Sequence, residues 1–144
     1  MKWVTRAHVH VDRVACPWLI RRFVDNQAEF LFVAASEVNA TAEATGATPF
    51  DVPGAELGHQ EGRCSFESIL HRYELKDAGL QRLAKAVHAA DISTDLHSDE
   101  LGPGLEAIAT GFSLLFPDDE ANLENQFLLY DALYAWCRLQ AARS

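Results

Sequence analysis

The 144-residue sequence lacks any apolar run approaching the roughly 20 residues that a membrane-spanning helix requires. Its first residues also lack the apolar stretch and the small-residue cleavage site of a secretory signal. Only three cysteines occur, Cys16, Cys64 and Cys137, too widely spaced for a zinc knuckle and too few for a disulfide framework. These absences predict a single domain over residues 1–144 that is cytoplasmic and has no membrane partner.

Basic residues are scarce, with 12 Lys and Arg against 21 Asp and Glu, for a formal charge of −9. Such a charge repels phosphate, which argues against a nucleic-acid partner. The net charge is +3 over residues 1–25, −4 over residues 26–86 and −8 over residues 87–144. A basic N-terminal segment on an acidic chain predicts a small anionic ligand.

Several common motifs are also missing. The sequence contains no G-x-G-x-x-G, no phosphate-loop lysine motif, no nucleophile elbow and no H-E-x-x-H. We therefore expect no nucleotide cofactor.

The first part of the chain alternates predicted strands with predicted helices. The apolar pattern predicts strands at residues 3–11, 28–34 and 48–52, the first half-buried and the second buried on both faces. A short helix capped by Ser36 is expected to end at Gly46. Strands that alternate with helices indicate an α/β fold with a small, mostly parallel sheet in the N-terminal half.

The helix after the first strand contains a proline, and its start is therefore open to two interpretations. We favour a helix well formed from Pro17, with Asp12–Cys16 as an irregular entry, because proline suits the first helical position. The alternative is a helix that begins near Asp12 and bends at Pro17.

The rest of the chain reads as helical and is expected to pack against the sheet. The predicted helices are Ser65–Leu75, Asp77–Ile92, Gly104–Phe116 and about Asp118–Ala142. In the last helix, Leu123, Phe127, Tyr130 and Tyr134 form an apolar stripe that is either core or the face of a homodimer. Asp131 interrupts that apolar run and is predicted to pair with an arginine of the basic segment.

Arginines cluster where the first strand meets the following helix. A guanidinium group suits oxyanions because its planar fork donates two parallel hydrogen bonds. The carboxyl end of a parallel sheet is also where ligands usually bind. We predict that Arg6, Asp12, Arg13 and Arg21 bind an anionic substrate, with Arg13 as a candidate catalytic residue. The alternative is an ion pair of Asp12 with Arg13 or Arg21 that only holds the turn.

Ligand-type side chains follow in the loop at residues 58–67 and near residue 90. His88 and Asp91 are three apart and share a helix face. Imidazole and carboxylate groups suit Fe, Mn or Zn, and we predict His59, Glu67, Asp91 and His88 as ligands of one divalent ion. Cys64 is a second candidate catalytic residue. Alternatively, Glu67 stabilises a helix N-terminus and the two histidines are exposed.

Several runs of the sequence together resemble a known family. These runs are Trp3–Arg6, Asp12–Asp25, Pro49–Gly54, Gly58-His59, Cys64–Glu67 and Tyr130–Cys137. They resemble the chromate resistance ChrB C-terminal domain family, also described as chromate resistance exported protein-like. The resemblance implies a role in chromate or related oxyanion stress, and it supports His59, Cys64, Glu67 and Asp91 as site residues.

Together, the residues and the resemblance predict a stand-alone chromate-resistance-type domain. We expect a small metal-dependent protein or enzyme that acts on an oxyanion or another small anion by redox or hydrolytic chemistry. The alternative is a metal-free module that binds or senses an oxyanion and dimerises through a helical face.

Overall fold

The computed structural model describes residues 1–143 and contains a parallel sheet in the first third of the chain. Its strands are β1 (Lys2–Arg6), β2 (Glu29–Val33) and β3 (Thr48–Pro49), in the order β2-β1-β3. This confirms the small parallel sheet. The predicted burial of the first two strands is wrong, because β1 pairs along both edges and is buried, whereas β2 lies at the edge and is partly exposed.

Two of the strands end earlier than predicted because the chain turns sharply beyond them. His8 and Asp51 adopt the left-handed backbone region, with φ of 65° and 49°. A residue in that region cannot continue an extended strand. β1 therefore stops before residue 8, and β3 stops before residue 51.

The first helix, α1 (Val11–Leu19), begins well before its proline and continues as a π-helical turn over Ile20–Val24. The favoured start at Pro17 is wrong, and the alternative start near Asp12 is correct. The first turn buries Val11, and this packing outweighs the loss of one backbone hydrogen bond at the proline.

A short helix, α2 (Val38–Thr45), covers one face of the sheet. It ends at Gly46, whose φ of 74° confirms the predicted stop. The predicted cap at Ser36 is wrong, because Ser36 lies inside a 3₁₀ turn over Ala35–Glu37 and Glu37 occupies the cap position of α2. Four buried residues form the small core under this helix: Val4, Val38, Ala47 and Val52.

The remaining helices confirm the predicted helical C-terminal half. They are α3 (Ser65–Arg72), α4 (Ala78–Asp91), α5 (Gly102–Leu115) and α6 (Asp119–Ala142). The largest side chains of the main core are Trp3, Trp18, Phe50, Phe66 and Tyr130. Within the predicted stripe of α6, Leu123, Phe127 and Tyr130 are buried in this core. The stripe is therefore mainly core, and the homodimer stays a prediction.

Two carboxylates of the helical half fasten α6 to the basic N-terminal segment. Asp119 accepts the backbone N–H groups of His8 and Val9 at 3.0 and 2.8 Å. Asp131 accepts two hydrogen bonds from Arg22 at 3.0 Å, which confirms that it pairs with an arginine of that segment.

The structure bears on two features that the sequence lacks, a membrane-spanning segment and a disulfide framework. Within residues 1–143, no helix combines the length and the apolar character needed to cross a membrane. All three cysteines are buried and unpaired. Cys16 and Cys137 thus act as small apolar core residues in this fold.

Gly102 begins α5 where the backbone of the preceding loop comes very close. A Cβ atom there would lie 2.3 Å from the carbonyl oxygen of Leu96 and 2.8 Å from the Cβ of Ala89. We expect Gly102→Ala to lower the free energy of unfolding in urea by about 2 kcal/mol through overpacking. Gly111→Ala is the control, because it meets open space within α5 and should stabilise the protein by about 0.5–1 kcal/mol. Equal effects of the two substitutions would contradict the prediction.

Candidate metal centre

A small cleft of about 270 Å³ opens at the carboxyl end of the sheet. Its position follows from the topology, since β1 ends at Arg6, β3 leads into Asp51, and α1 brings Asp12 to the same edge. This is where a ligand is expected to bind in a parallel sheet. The lining residues are Arg6, His10, Asp12, Arg13, Asp51, His59 and Asp91.

Asp12 forms the buried floor of this cleft, with only 1% of its surface exposed. Its carboxylate accepts the backbone N–H of Ser65 at 2.7 Å and that of Phe66 at 3.3 Å. These donors are the free N–H groups at the start of α3, where a negative charge is favoured. The first turn of α1 and the first turn of α3 are thus joined by one carboxylate.

Asp91 reaches the cleft from the last residue of α4. One of its oxygens accepts the backbone N–H of Asp12 at 3.3 Å, and the other lies 2.9 Å from Nε2 of His59. A negative charge at a helix C-terminus is unfavourable on its own. The position of Asp91 is therefore stabilised by contacts within the cleft.

His59 covers the carboxylates from the loop before α3, and about half of its side chain is exposed. Its Nε2 atom lies 3.5 Å from Asp12 and 3.7 Å from Asp51. A hydrogen bond to Asp12, with the nearby negative charges, raises the pKa of His59 to about 9. Burial raises the pKa of Asp12 to about 7, despite the hydrogen bond to His59.

Asp51 is a central site residue that the sequence predictions did not include. It accepts a hydrogen bond from Ser65 at 2.6 Å, from Arg6 at 3.2 Å and from Arg13 at 3.3 Å. The two arginines are therefore fixed on one buried carboxylate. The signal in the sequence was an acid that directly follows an apolar strand of a parallel sheet.

Three ligand atoms at this site lie within 4.8 Å of one another, one each from Asp12, His59 and Asp91. Two carboxylate oxygens and one imidazole nitrogen fit a divalent ion of the Mn, Fe or Zn type. Two of these residues, His59 and Asp91, were predicted as ligands. The third, Asp12, was predicted to bind substrate.

The other two predicted ligands lie in a separate group. Within residues 1–143, Glu67 and His88 form a ligand-type cluster with Cys64 and not with His59 or Asp91. The predicted convergence of all four ligands is therefore wrong. His88 lies almost one turn before Asp91 on α4 and faces the first turn of α3. There Glu67 also accepts the backbone N–H of Cys64 at 2.9 Å. This bond agrees with the alternative prediction that Glu67 stabilises a helix N-terminus.

Arg21 does not join the other arginines. It lies in the π-helical turn beyond α1, donates to the carbonyl oxygen of Ala28 at 2.8 Å, and stacks over the rings of Phe30 and Phe127. Its predicted position beside Arg6 and Arg13 is wrong, because the length of α1 separates it from them.

Cys64 lies at the start of α3 and is fully buried. Burial and the nearby negative charges raise the pKa of its thiol well above the ordinary range. A protonated, inaccessible thiol is a poor nucleophile. Its predicted catalytic role therefore has no support from this geometry.

The raised pKa values make the metal-free cleft sensitive to pH. Asp12 and His59 both hold a proton more tightly in the folded protein than in the unfolded chain. Stability therefore falls as pH rises from about 4 to about 9. Urea unfolding of chelator-treated protein should show this fall between about pH 5 and pH 8. His59→Ala should reduce the fall in stability at the upper end of this pH range. His97→Ala, at an exposed position, should not change it. Constant stability in the unchanged protein would contradict the prediction.

Comparisons with known proteins give one consistent similarity. The family described as "ChrB, C-terminal domain" matches residues 3–137. Protein ChrB of Cupriavidus metallidurans is 38% identical over 134 residues, which are 92% of this chain and 40% of that relative. The chain therefore spans less than half the length of this relative. No solved structure matches the chain significantly.

Proposed function

The chain belongs to the ChrB C-terminal domain family, and on that premise we propose that its cleft binds a divalent transition metal ion through Asp12, His59 and Asp91. The chain is accordingly a chromate-resistance, ChrB-type domain. The proposal rests on the grouping of three ligand atoms within 4.8 Å of one another at the floor of the cleft.

The charges around the cleft support a cation at this position. Arg6 and Arg13 are both paired with Asp51, so within residues 1–143 His59 is the one side chain that forms an ion pair with Asp12 and Asp91. Buried carboxylates are unfavourable unless they are paired or coordinate a metal. A divalent ion balances both carboxylates and leaves His59 neutral, which is the form in which histidine coordinates metals.

The donor set narrows the identity of the metal. Two carboxylates and one imidazole, with no thiolate, favour Mn²⁺ or Fe²⁺ and also accept Zn²⁺. Three protein ligands leave coordination positions open for water or for a substrate oxygen. A bound ion of this kind supplies Lewis-acid or, for iron and manganese, electron-transfer chemistry.

The arginine side of the cleft supports a small oxyanion as the second ligand. Arg13 donates to Asp51 and to the carbonyl oxygen of His8, yet its buried Nε has no hydrogen-bond partner within residues 1–143. A guanidinium with a free donor suits a tetrahedral anion such as chromate or sulfate. The cleft, at about 270 Å³, is smaller than the roughly 300 Å³ at which pockets begin to hold drug-sized ligands.

A metal-free oxyanion module is the alternative function. It has less support, because three carboxylates share the cleft with the two arginines and repel an anion unless a cation is present. The two functions differ in one respect that is easy to measure. Anion binding requires prior metal binding in the first and not in the second.

Calorimetry with Mn²⁺ tests the proposed function. We expect chelator-treated protein to bind Mn²⁺ in the cleft, and Asp91→Asn to weaken this binding strongly, because it removes a ligand and a charge. Glu124→Gln, at an exposed position of α6, is the matched loss of one negative charge and should leave Mn²⁺ binding intact. Absence of Mn²⁺ binding, or equal binding by Asp91→Asn, would contradict the proposal.

Chromate and sulfate titrations test the anion. We expect both anions to bind the Mn²⁺-loaded protein and to bind Arg13→Ala much more weakly. Equally strong anion binding by the metal-free protein, lost in Arg13→Ala, would establish the alternative function instead.

A further inference from the structure

We propose that Cys64, Glu67 and His88 form a second metal site, of the zinc type, separate from the cleft. One ligand atom from each residue lies within 4.8 Å of the others. Cys64 directly precedes α3, Glu67 lies in its first turn, and His88 faces them from α4. This inference does not depend on the function proposed for the cleft.

The contacts of His88 hold its ring in an orientation that suits a metal ligand. Its Nε2 lies 2.7 Å from a carboxylate oxygen of Asp95, and its Nδ1 lies 2.5 Å from an oxygen of Glu67. Coordinating histidines commonly donate their other ring N–H to a carboxylate, which fixes the ring and the tautomer. With Nε2–H donating to Asp95, the Nδ1 lone pair faces the oxygen of Glu67, and a proton shared between these two atoms makes the contact favourable in the metal-free protein.

The donor set distinguishes this site from the cleft. Thiolate, imidazole and carboxylate together favour zinc, whereas Mn²⁺ prefers oxygen ligands. The Sγ atom of Cys64 is buried, but the side chains of Glu67 and His88 are 28% and 19% exposed. Glu67 also borders an open cleft of about 590 Å³, which gives an ion a path from solvent.

Metal binding at this site forms a metal–sulfur bond and releases protons. The proton of the Cys64 thiol and the proton shared by Glu67 and His88 both pass to solvent when the ion takes their place. Asp95 keeps its hydrogen bond to His88 and orients the ring.

Co²⁺, a spectroscopic substitute for Zn²⁺, tests the proposal in the intact chain. We expect Co²⁺ to produce a near-ultraviolet charge-transfer band that requires a thiolate ligand, and excess Zn²⁺ to remove it. Cys64→Ser should abolish the band, and Cys137→Ser, at another buried cysteine, should retain it. Serine is favoured at the residue before a helix, so Cys64→Ser is expected to fold.

Two further variants make the outcome decisive. His88→Gln should weaken Co²⁺ binding at least tenfold, and His59→Ala should leave the band unchanged, because His59 belongs to the cleft. No band at saturating Co²⁺, or a band that persists in Cys64→Ser, would overturn the second site. Loss of Mn²⁺ binding in the cleft with an intact Co²⁺ band would instead overturn only the function proposed for the cleft.

Discussion

Asp51→Ala should lower the free energy of unfolding by about 3 kcal/mol, the largest stability change expected at the cleft. Asp51 is 95% buried and pairs with Arg6 and Arg13, and it also accepts the hydroxyl of Ser65. Removing the carboxylate leaves the largely buried Arg13 guanidinium without its charged partner. Urea unfolding at constant pH, in the presence of a chelator, measures the change.

Glu56→Ala is the control for this substitution. Glu56 also pairs with an arginine, Arg72, but both side chains are more than half exposed. An exposed ion pair contributes about 0–1 kcal/mol, so this variant should be close to the unchanged protein. If the two variants were equally stable, Asp51 would not be the residue that holds the arginines in the cleft.

His59→Ala should weaken Mn²⁺ binding by about 100-fold or more. Residues that only orient a ligand typically change metal affinity by about 10- to 100-fold, and His59 supplies a ligand atom itself. Because about half of its side chain is exposed, the substitution leaves no enclosed cavity, and the fold should be retained. Calorimetric titration of chelator-treated protein with Mn²⁺ gives the affinity, and circular dichroism checks the fold.

His97→Ala is the matched control, since His97 is exposed and lies outside both ligand clusters. It should bind Mn²⁺ as the unchanged protein does. An affinity of His59→Ala equal to that of His97→Ala would remove His59 from the ligand set.

The periodic part of the fold could be predicted from the sequence because helical and strand patterns are local. The helices after residue 64 and the parallel sheet follow from such patterns. The order of the strands is not local, and for this reason the burial of β1 and β2 was predicted the wrong way round. The favoured start of α1 at Pro17 was also wrong, because the burial of its first turn, which decides between the two starts, depends on the rest of the core.

The position of the candidate site could be predicted from the sequence, but the residues that meet there could be predicted only in part. Arg6, Asp12 and Arg13 lie at the strand–helix junction, where a parallel sheet brings its ligand-binding residues together. Which carboxylate meets which histidine depends on the packing of α1, α3 and α4. That packing places Asp91 beside His59 and places His88 beside Glu67.

The excess of acidic over basic residues has a more specific meaning in the folded chain. Arg6 and Arg13 are fixed on Asp51 in the same cleft that holds the carboxylates of Asp12 and Asp91. The acidic side of the cleft suits a metal cation, and the arginine side suits an oxyanion. Basic residues of the N-terminal segment and acidic residues from the rest of the chain thus meet in one small cleft.

Anomalous X-ray diffraction from crystals grown with Mn²⁺ tests the central claim most directly. We expect a manganese peak in direct contact with carboxylate oxygens of Asp12 and Asp91 and with Nε2 of His59. We also expect this peak to be absent from His59→Ala crystals grown in the same way. A saturated crystal with no manganese in the cleft, and with His59 still against the three carboxylates, would contradict it.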